Sequence, residues 1–319
     1  MFRKDMDVIW KEASAPEERE AVFRFRYEEY FSEHASLPGV DSARRTVALP
    51  HDLRSRHIMA LSPEGRILAA GTLTPASEPC IAQEWKDIFL FDRIAPLLAE
   101  TVIISRVVVA AAARRSPLFL RMSLRLAEAA IRGGYRCSIH YCAPRMISLY
   151  ERMGYRCYGS GGAMGTSFRL PMLLTIDSAD ALRRAGSPVA ALLPDGGADD
   201  PHLQKLLGIC PELAETPLCL LDPPAFRRRI AGLCPELADI PPARLRPLRR
   251  AGVFRIPGGL ALARPGQDEG GFLLLRGAMD AGGQPVIPGS AFRSGDALVT
   301  AAEDSILASM PSSTSSIPR

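Results

Sequence analysis

No stretch of the 319-residue sequence is apolar for long enough to span a bilayer. The longest runs, such as Val107 to Ala113, fall far short of the roughly 20 residues that a transmembrane helix needs. The segment from Met1 to Lys11 mixes charges with Trp10 and lacks the apolar centre of a secretory signal, so a cytoplasmic location is expected. Paired cysteines are missing as well. Seven cysteines, an odd number, lie between Cys80 and Cys234 without CxxC spacing, which argues for reduced thiols and against a disulfide framework or a zinc site, and no metal is expected. Neither sign of charge is in strong excess: 39 Lys and Arg against 35 Asp and Glu leave +4, too even for a dedicated nucleic-acid binder. What remains, 47% hydrophobic and 23% charged residues, is the composition of a folded globular chain long enough for two domains.

The composition changes near residue 176. Ser187 to Pro201 reads SPVAALLPDGGADDP, a loop or linker by its Pro, Gly and Asp density, which places a first domain at 1–177, a linker at 178–203, a second domain at 204–310 and a disordered Ser-rich tail at 311–319. GICPELAETP from Gly208 recurs as GLCPELADIP from Gly232, a duplicated short helical element. From Val253 to Leu307, short apolar runs between Gly and Pro turns predict a small antiparallel β-roll, preceded by helices.

In the first domain, Ser14 and Glu17 fit a capping box with Pro16 in the first turn, and Phe23, Tyr27 and Tyr30 recur at helical spacing, predicting a helix from Pro16 to His34. RHIMALS and RILAAGTL flank Pro63-Glu64-Gly65 and predict a hairpin. A doubly buried strand over Thr101–Ala110 follows, interrupted by Ser105 and Arg106; then come a helix over Pro117–Gly133, a strand over Tyr135–Cys142, a helix over Pro144–Met153, and strands near Tyr155 and over Phe168–Leu174. The order predicts an α/β domain with a mixed central sheet flanked by helices.

ISRVVV, RRSPLFL and YCAPRMISLYERMGYRCYG, together spanning Thr101 to Gly159, resemble the GCN5-related N-acetyltransferase superfamily. FRFRYEEYFSEH, with Arg26 four residues before Tyr30, and Asp41 followed by HDLRSRHIMA resemble its branch of long-chain N-acyl amino acid synthases and autoinducer synthases. The resemblance implies transfer of a long-chain acyl group to the amine of an amino acid or small amine. It places Arg26, Tyr30 and Asp52 on the acceptor side. The strand residues Val107, Val108 and Val109, with Arg114, Arg115, Ser116 and Arg121, lie on the donor side, and Arg106 at the acyl-transfer end of the strand, where it either faces the pocket or caps Asp52. Tyr150 resembles the tyrosine that protonates the leaving thiolate, with core packing as the other reading. His140 is a proton relay or a buried structural histidine. Cys142 is a nucleophile or a buried thiol, and Glu33 an acceptor-side base or a solvated helix residue.

Three features depart from that pattern. Residues 114 to 119, RRSPLF, lack the glycine loop that cradles the pyrophosphate of coenzyme A, which favours acyl carrier protein, with its single pantetheine phosphate, as donor and acyl-CoA as the alternative. Ile103 stands where autoinducer synthases carry a Glu, and Thr72 and Thr74 where they carry an Arg, so lactone formation is not expected. Arg121, Arg125, Glu128 and Arg132 share one face of their helix, either a docking stripe for the acidic carrier or an ordinary solvated face. No cofactor is expected beyond the donor's phosphopantetheine thioester.

The C-terminal segments LRRAGVFRIPGGLALARPG, FLLLRGAMD and PGSAFRSGDALVTA resemble a cyclic-nucleotide-binding roll. Gly295-Asp296 is followed by no Arg before Arg319, so the roll is expected to regulate, dock or form a homodimer rather than bind a cyclic phosphate. The two competing functions are a protein-lysine acetyltransferase using acetyl-CoA and regulated by this roll, and a sensing scaffold with an inactive transferase domain.

Overall fold

A computed structural model describes residues 7–31, 38–114, 116–165, 167–194, 201–264, 270–294 and 297–310. The chain divides into two compact units, one of residues 1–85, 94–140 and 191–194, the other of residues 86–93, 141–190 and 195–319. The predicted end of the first helix at His34, Glu33, Arg115, the Gly295-Asp296 pair and the Ser-rich tail lie outside the described residues. Among the described residues no helix is long and apolar enough to cross a membrane.

The first unit is built on a mixed sheet, as the sequence predicts. Strand β1 (Ile9–Glu12) is followed by helix α1 (Pro16–Phe31), a two-residue pair β2 (Val40–Asp41) and β3 (Thr46–Val47), strands β4 (Arg56–Leu61) and β5 (Ile67–Pro75), a short helix α2 (Gln83–Ile88), strand β6 (Thr101–Val109), helix α3 (Leu118–Arg132) and strand β7 (Cys137–Cys142). Neighbours run β1-β4-β5-β6 antiparallel, and β7 joins β6 in parallel. The β4–β5 hairpin closes where predicted: Ser62 N–H donates to Arg66 O at 2.8 Å, and Gly65 takes φ +82°, a region costly to any residue with a Cβ.

The two long helices cover opposite faces. Val22, Phe23 and Phe25 of α1 pack with Ala70 of β5 and Val108 of β6. On the next residue of β5, a Cβ at Gly71 would meet Leu126 of α3 at 2.5 Å, and successive strand residues point to opposite faces. Glycine at 71 thus lets α3 lie close against the sheet. Met122, Leu126, Ala129 and Ala130 form the buried face of α3, as its periodicity predicts.

The cap of α1 corrects the expected box. Pro16 opens the helix, which puts Ala15 at the N-cap and makes Glu18, not Glu17, the third helical residue. Its carboxylate accepts the N–H groups of Ser14 at 3.0 Å and Ala15 at 3.1 Å and pairs with Lys11.

In the second unit, the helix expected over Pro144–Met153 is a 3-10 turn (Pro144–Met146) continued by α4 (Ile147–Arg152). Strands β8 (Arg156–Cys157) and β9 (Gly162–Met164) both pair antiparallel with β10 (Ser167–Thr175), and helix α5 (Ala179–Arg184) follows. Part of the expected linker is a 3-10 turn, Pro188–Leu192, with Val189 fully buried because VAAL is apolar. Helices α6 (Pro201–Ile209), α7 (Pro223–Leu233) and α8 (Pro242–Leu245) come next.

The duplicated sequence forms a short 3-10 helix in each copy, Pro211–Ala214 and Pro235–Leu237, with proline in its first turn as expected. Cys210 and Cys234 each give the last helical N–H, to Leu206 O at 2.7 Å and Ile230 O at 2.8 Å, and each accepts at 3.0 Å from the Leu three residues on, which closes a 3-10 turn. Proline after each cysteine cannot continue the helix, and both cysteines are fully buried.

The C-terminal strands are antiparallel, as expected. Strands β11 (Gly252–Ile256), β12 (Ala261–Ala263), β13 (Gly271–Arg276), β14 (Met279–Ala281), β15 (Gln284–Val286), β16 (Ala291–Arg293), β17 (Val299–Ala301) and β18 (Ser305–Met310) form two four-stranded sheets, ordered β11-β18-β13-β16 and β12-β17-β14-β15.

Candidate active site

The residues that meet in the first unit come from α1, the 3-10 turn at Pro50–Arg54, β4, β5 and β6. Asp52 is fixed by its own turn: its Oδ2 accepts the N–H of Leu49 at 2.7 Å, and its N–H donates to Leu49 O at 2.9 Å. The other oxygen, Oδ1, accepts from Arg26 Nη1 at 3.0 Å. Arg26 is completely buried, and its second nitrogen, Nη2, donates to Thr72 Oγ1 and approaches His57 Nδ1 at 3.1 Å. The His57 ring completes the cluster, with Nε2 2.8 Å from Asp52 O and Nδ1 3.1 Å from Thr72 Oγ1. Arg106 Nε lies 3.7 Å from Asp52 Oδ2, close enough for attraction, yet it has no hydrogen-bond partner among the described residues. Arg26, Asp52 and Arg106, three of the sequence candidates, are thus brought together.

Two guanidinium groups share one carboxylate here, so the cluster keeps an unspent positive charge, and Arg106 is the cation with solvent access, its side chain 8% exposed. Burial works to raise the Asp52 carboxyl, but Arg26 and Arg106 overcome it and hold the group below its ordinary range. Asp52 therefore stays ionised. Burial, helped by Arg26, pushes His57 down to about 4, and burial first among its causes also lowers His51, whose ring packs 4.6 Å from that of Trp85.

A pH dependence follows. The unfolded chain protonates its histidine near 6.5 while folded His57 resists until about 4, so between these values the unfolded state binds more protons and stability falls as pH falls. The expected loss is a few kcal/mol, on the order of 1.4 per pKa unit, and is complete below about pH 4. Urea midpoints measured at pH 7, 5.5 and 4.5 check this; a His57→Gln variant whose midpoint falls as steeply as the wild type's would count against His57 as the source.

Arg106 also sits at an irregularity of the strand. Ala70 faces Val108 and Thr72 faces Ser105, so Gly71 stands opposite both Arg106 and Val107, a β-bulge. Arg106 takes φ +50°, left-handed for a residue with a Cβ. Just before the bulge the parallel partner is lost: the β6–β7 ladder stops at Ile103↔Ile139, although β6 runs to Val109. Val107 and Val109 are half-buried, whereas Val108 is buried in the α1 core. Ile103 is fully buried and supplies no acid.

Beyond β6 the loop into α3 is held by Glu29, a residue the sequence reading passed over. Its Oε2 accepts the N–H of Ala111 at 2.8 Å and lies 3.2 Å from Arg114 Nη2. Arg114 Nε donates to Val109 O at 3.2 Å, and Ser116 Oγ donates to Ala113 O at 2.7 Å while accepting from Leu118 N–H at 3.2 Å. Three N–H groups of this loop, at residues 113, 114 and 116, are taken up by its own carbonyls. Along α3, Arg125 and Arg132 pair with Glu128, and the guanidinium carbons of Arg121 and Arg125 lie 5.8 and 5.4 Å from the Trp10 ring centre.

Tyr30 is half-buried against the α1 core, and His140, on β7, is pushed down to about 3 by burial alone and stays neutral at physiological pH. Tyr150 belongs to the second unit, on α4, edge-on to Tyr155 at 5.8 Å. Cys142 is buried. Of the cluster members the sequence reading missed, His57 and Thr72 carried a signal, since they are cross-strand partners in the hairpin register. Glu29 carried none beyond its place one turn after Arg26.

No protein-family model matches the chain, and no curated protein matches it. Among solved structures it is similar to the CoA-dependent acyl-homoserine lactone synthase BjaI with SAM and isopentyl-CoA, at 16% identity over 62% of this chain and 98% of that one, with a TM-score of 0.45. It is similar to TofI in a ternary complex with an inhibitor and MTA, at 22% identity over 59% and 100%, with a TM-score of 0.45. A third likeness is Escherichia coli ElaA, at 14% identity over 53% and 99%, with a TM-score of 0.38.

Proposed function

We propose that the chain is an N-acyltransferase that moves a long-chain acyl group from acyl carrier protein to the amine of an amino acid or other small amine. The observation that carries this reading is the bulge at Arg106. It lies where β6 has parted from β7, which leaves main-chain groups of the strand for an extended pantetheine arm and sets an unspent guanidinium beside them. The amine nitrogen attacks the thioester carbonyl, the N–C bond forms, the charge gathering on the carbonyl oxygen meets Arg106 and strand N–H groups, and the C–S bond breaks. The proton lost by the amine ends on the departing sulfur, with His140 and Glu33 as the candidates for its transfer. Asp52 orients Arg106 and in turn is held by Arg26, which is too buried to meet an acceptor and acts here as a positioning residue.

Glu29 supports the carrier protein as donor. A carboxylate already engages Ala111 N–H and Arg114, two groups that a nucleotide pyrophosphate would need, and its negative charge opposes a pyrophosphate more than the single phosphate of the carrier's pantetheine. Glu29→Gln keeps an acceptor for the N–H and removes the charge. It is expected to tighten coenzyme A binding roughly tenfold, about 1.4 kcal/mol, with little change in transfer from acyl carrier protein. Calorimetry with coenzyme A and steady-state kinetics with acyl carrier protein check the two halves; equal coenzyme A affinity in both proteins would remove Glu29 from donor selection.

Mass spectrometry of lipid extracts from a bacterium expressing the chain tests the function itself. New N-acyl amines or N-acyl amino acids are expected. Acetylated proteins without them would favour the coenzyme A-dependent lysine acetyltransferase, and neither product would favour the scaffold.

A further inference from the structure

The second unit contains a cavity of about 140 Å³ whose wall includes Glu151, at the end of α4, and Arg156, on β8. Glu151 is 6% exposed, and its Oε2 has no hydrogen-bond partner among the described residues. Arg156 spends only Nη1, which donates to the carbonyls of Glu151 at 3.0 Å and Tyr155 at 2.7 Å; its other nitrogens have no partner among the described residues. The two side chains form no ion pair with each other. The other acids on this wall are already spent, Glu212 on Arg93 at 2.6 Å and Glu215 on Arg229. Leu218, Leu233 and Phe254 supply an apolar part of the lining.

A carboxyl oxygen without a partner and a guanidinium bonded through only one of its nitrogens, both on the wall of one small cavity, are costly in isolation, because a buried polar group without a partner loses its hydration for nothing in return. Burial accordingly pushes the Glu151 carboxyl up to about 8, despite Arg156 and Arg152 nearby. Water in the chamber would solvate both groups without joining them. A ligand that carries both charges a few bonds apart would satisfy them together, its ammonium drawing the Glu151 carboxyl into the ionised form. The volume equals that of roughly five water molecules at about 30 Å³ each, room for a small amino acid.

We propose that this cavity binds a small aliphatic α-amino acid, with the ammonium group on Glu151, the carboxylate on Arg156 and the side chain against Leu218, Leu233 and Phe254. The inference does not depend on acyl transfer, since none of these residues has a role in it. It assigns the second unit a ligand that is neither nucleotide nor thioester.

Calorimetry of the full chain with glycine, alanine, serine and valine tests it, with isobutylamine and isovalerate as the one-charge controls for valine. At least one amino acid is expected to bind one-to-one with a Kd below about 1 mM, and each control at least about tenfold more weakly. Glu151→Gln should weaken binding at least tenfold. Thr216→Trp, which fills the chamber from an exposed wall position and spares the core, should do the same and keeps the test intact where Glu151→Gln fails to fold. Absence of binding by every member of the panel overturns the proposal. So does binding that survives both variants; if such binding is also lost in Arg106→Ala, it belongs to the acceptor side of the first unit, which leaves the acyl-transfer reading standing while this one falls.

Discussion

Arg26→Met is expected to cost the fold about 3–5 kcal/mol, the penalty for stripping one partner from a buried ion pair. Methionine replaces the apolar stem of the arginine but none of its donors. Asp52 Oδ1 then loses its 3.0 Å bond, Thr72 loses a donor, and the carboxylate is left with Leu49 N–H and with Arg106, 3.7 Å away and not hydrogen-bonded. Because Asp52 bridges α1 to the turn before β4, the loss should appear as a lower urea midpoint with an unchanged m-value, measured by far-UV circular dichroism. Adding Asp52→Leu should recover part of the loss, since a buried pair replaced as a unit by apolar residues is often nearly neutral. Recovery stays incomplete because Arg106 then keeps no counter-charge at all. A single-variant loss below about 1 kcal/mol would mean that water reaches this cluster and that the pair is not the closed unit its burial indicates.

What the sequence revealed and what it hid separate along a physical line. The hairpin at 56–75, the strand at 101–109 and the helix at 118–132 are set by local chemistry: a glycine needed at φ +82°, a run of β-branched residues, and an apolar stripe at helical spacing. Their positions came out within a residue or two. Strand β1 has the sequence IWKE and is mostly exposed, so no alternation marks it; only pairing with β4 makes it a strand. The capping box slipped by one because Pro16 settles the first helical position, which outweighs the preference of Ser14 for the cap. The duplicated GxCPELA element was legible as a short helix with proline in its first turn, and what the sequence did not show is that each copy ends the α-helix before it, because the proline cannot continue that helix.

The site was legible by residue type and illegible by geometry. Arg26, Asp52 and Arg106 stand out as charges among apolar neighbours, and a buried charge must find a partner. Thr72 and Thr74 read only as positions where an arginine is missing. In the structure both are fully buried, with Thr72 receiving Arg26 and Thr74 bonded to Ser55 at 2.7 Å, so β5 answers the arginine of α1 with a hydroxyl instead of bringing its own charge. The bulge had no marker at all. Glycine usually signals a left-handed strand residue, but here the glycine lies opposite, at 71, and the left-handed residue is the arginine.

That choice leads to the largest expected effect on activity. An arginine held at φ +50° costs roughly 1 kcal/mol more than a glycine there, a cost the fold accepts although Nε donates no hydrogen bond among the described residues. Arg106→Ala removes the guanidinium and retains the backbone strain; Arg106→Gly removes both. Both variants should lower acyl transfer from acyl carrier protein by about a hundredfold, near 2.7 kcal/mol, the usual loss for one donor to a developing oxyanion. Their stabilities should differ in the opposite sense from an ordinary truncation series, with the glycine variant more stable than the alanine variant by about 1 kcal/mol because its backbone is at ease. Arg106→Lys should restore only a small part of the rate, since an ammonium keeps the charge without the planar fork. Product formation followed by mass spectrometry at saturating donor, beside urea midpoints for each variant, separates the contributions. Wild-type turnover in the folded alanine variant would place the oxyanion donors elsewhere on β6 and leave Arg106 as a partner of Asp52 alone; an alanine variant as stable as the glycine variant would show that the strand relaxes once the side chain is gone.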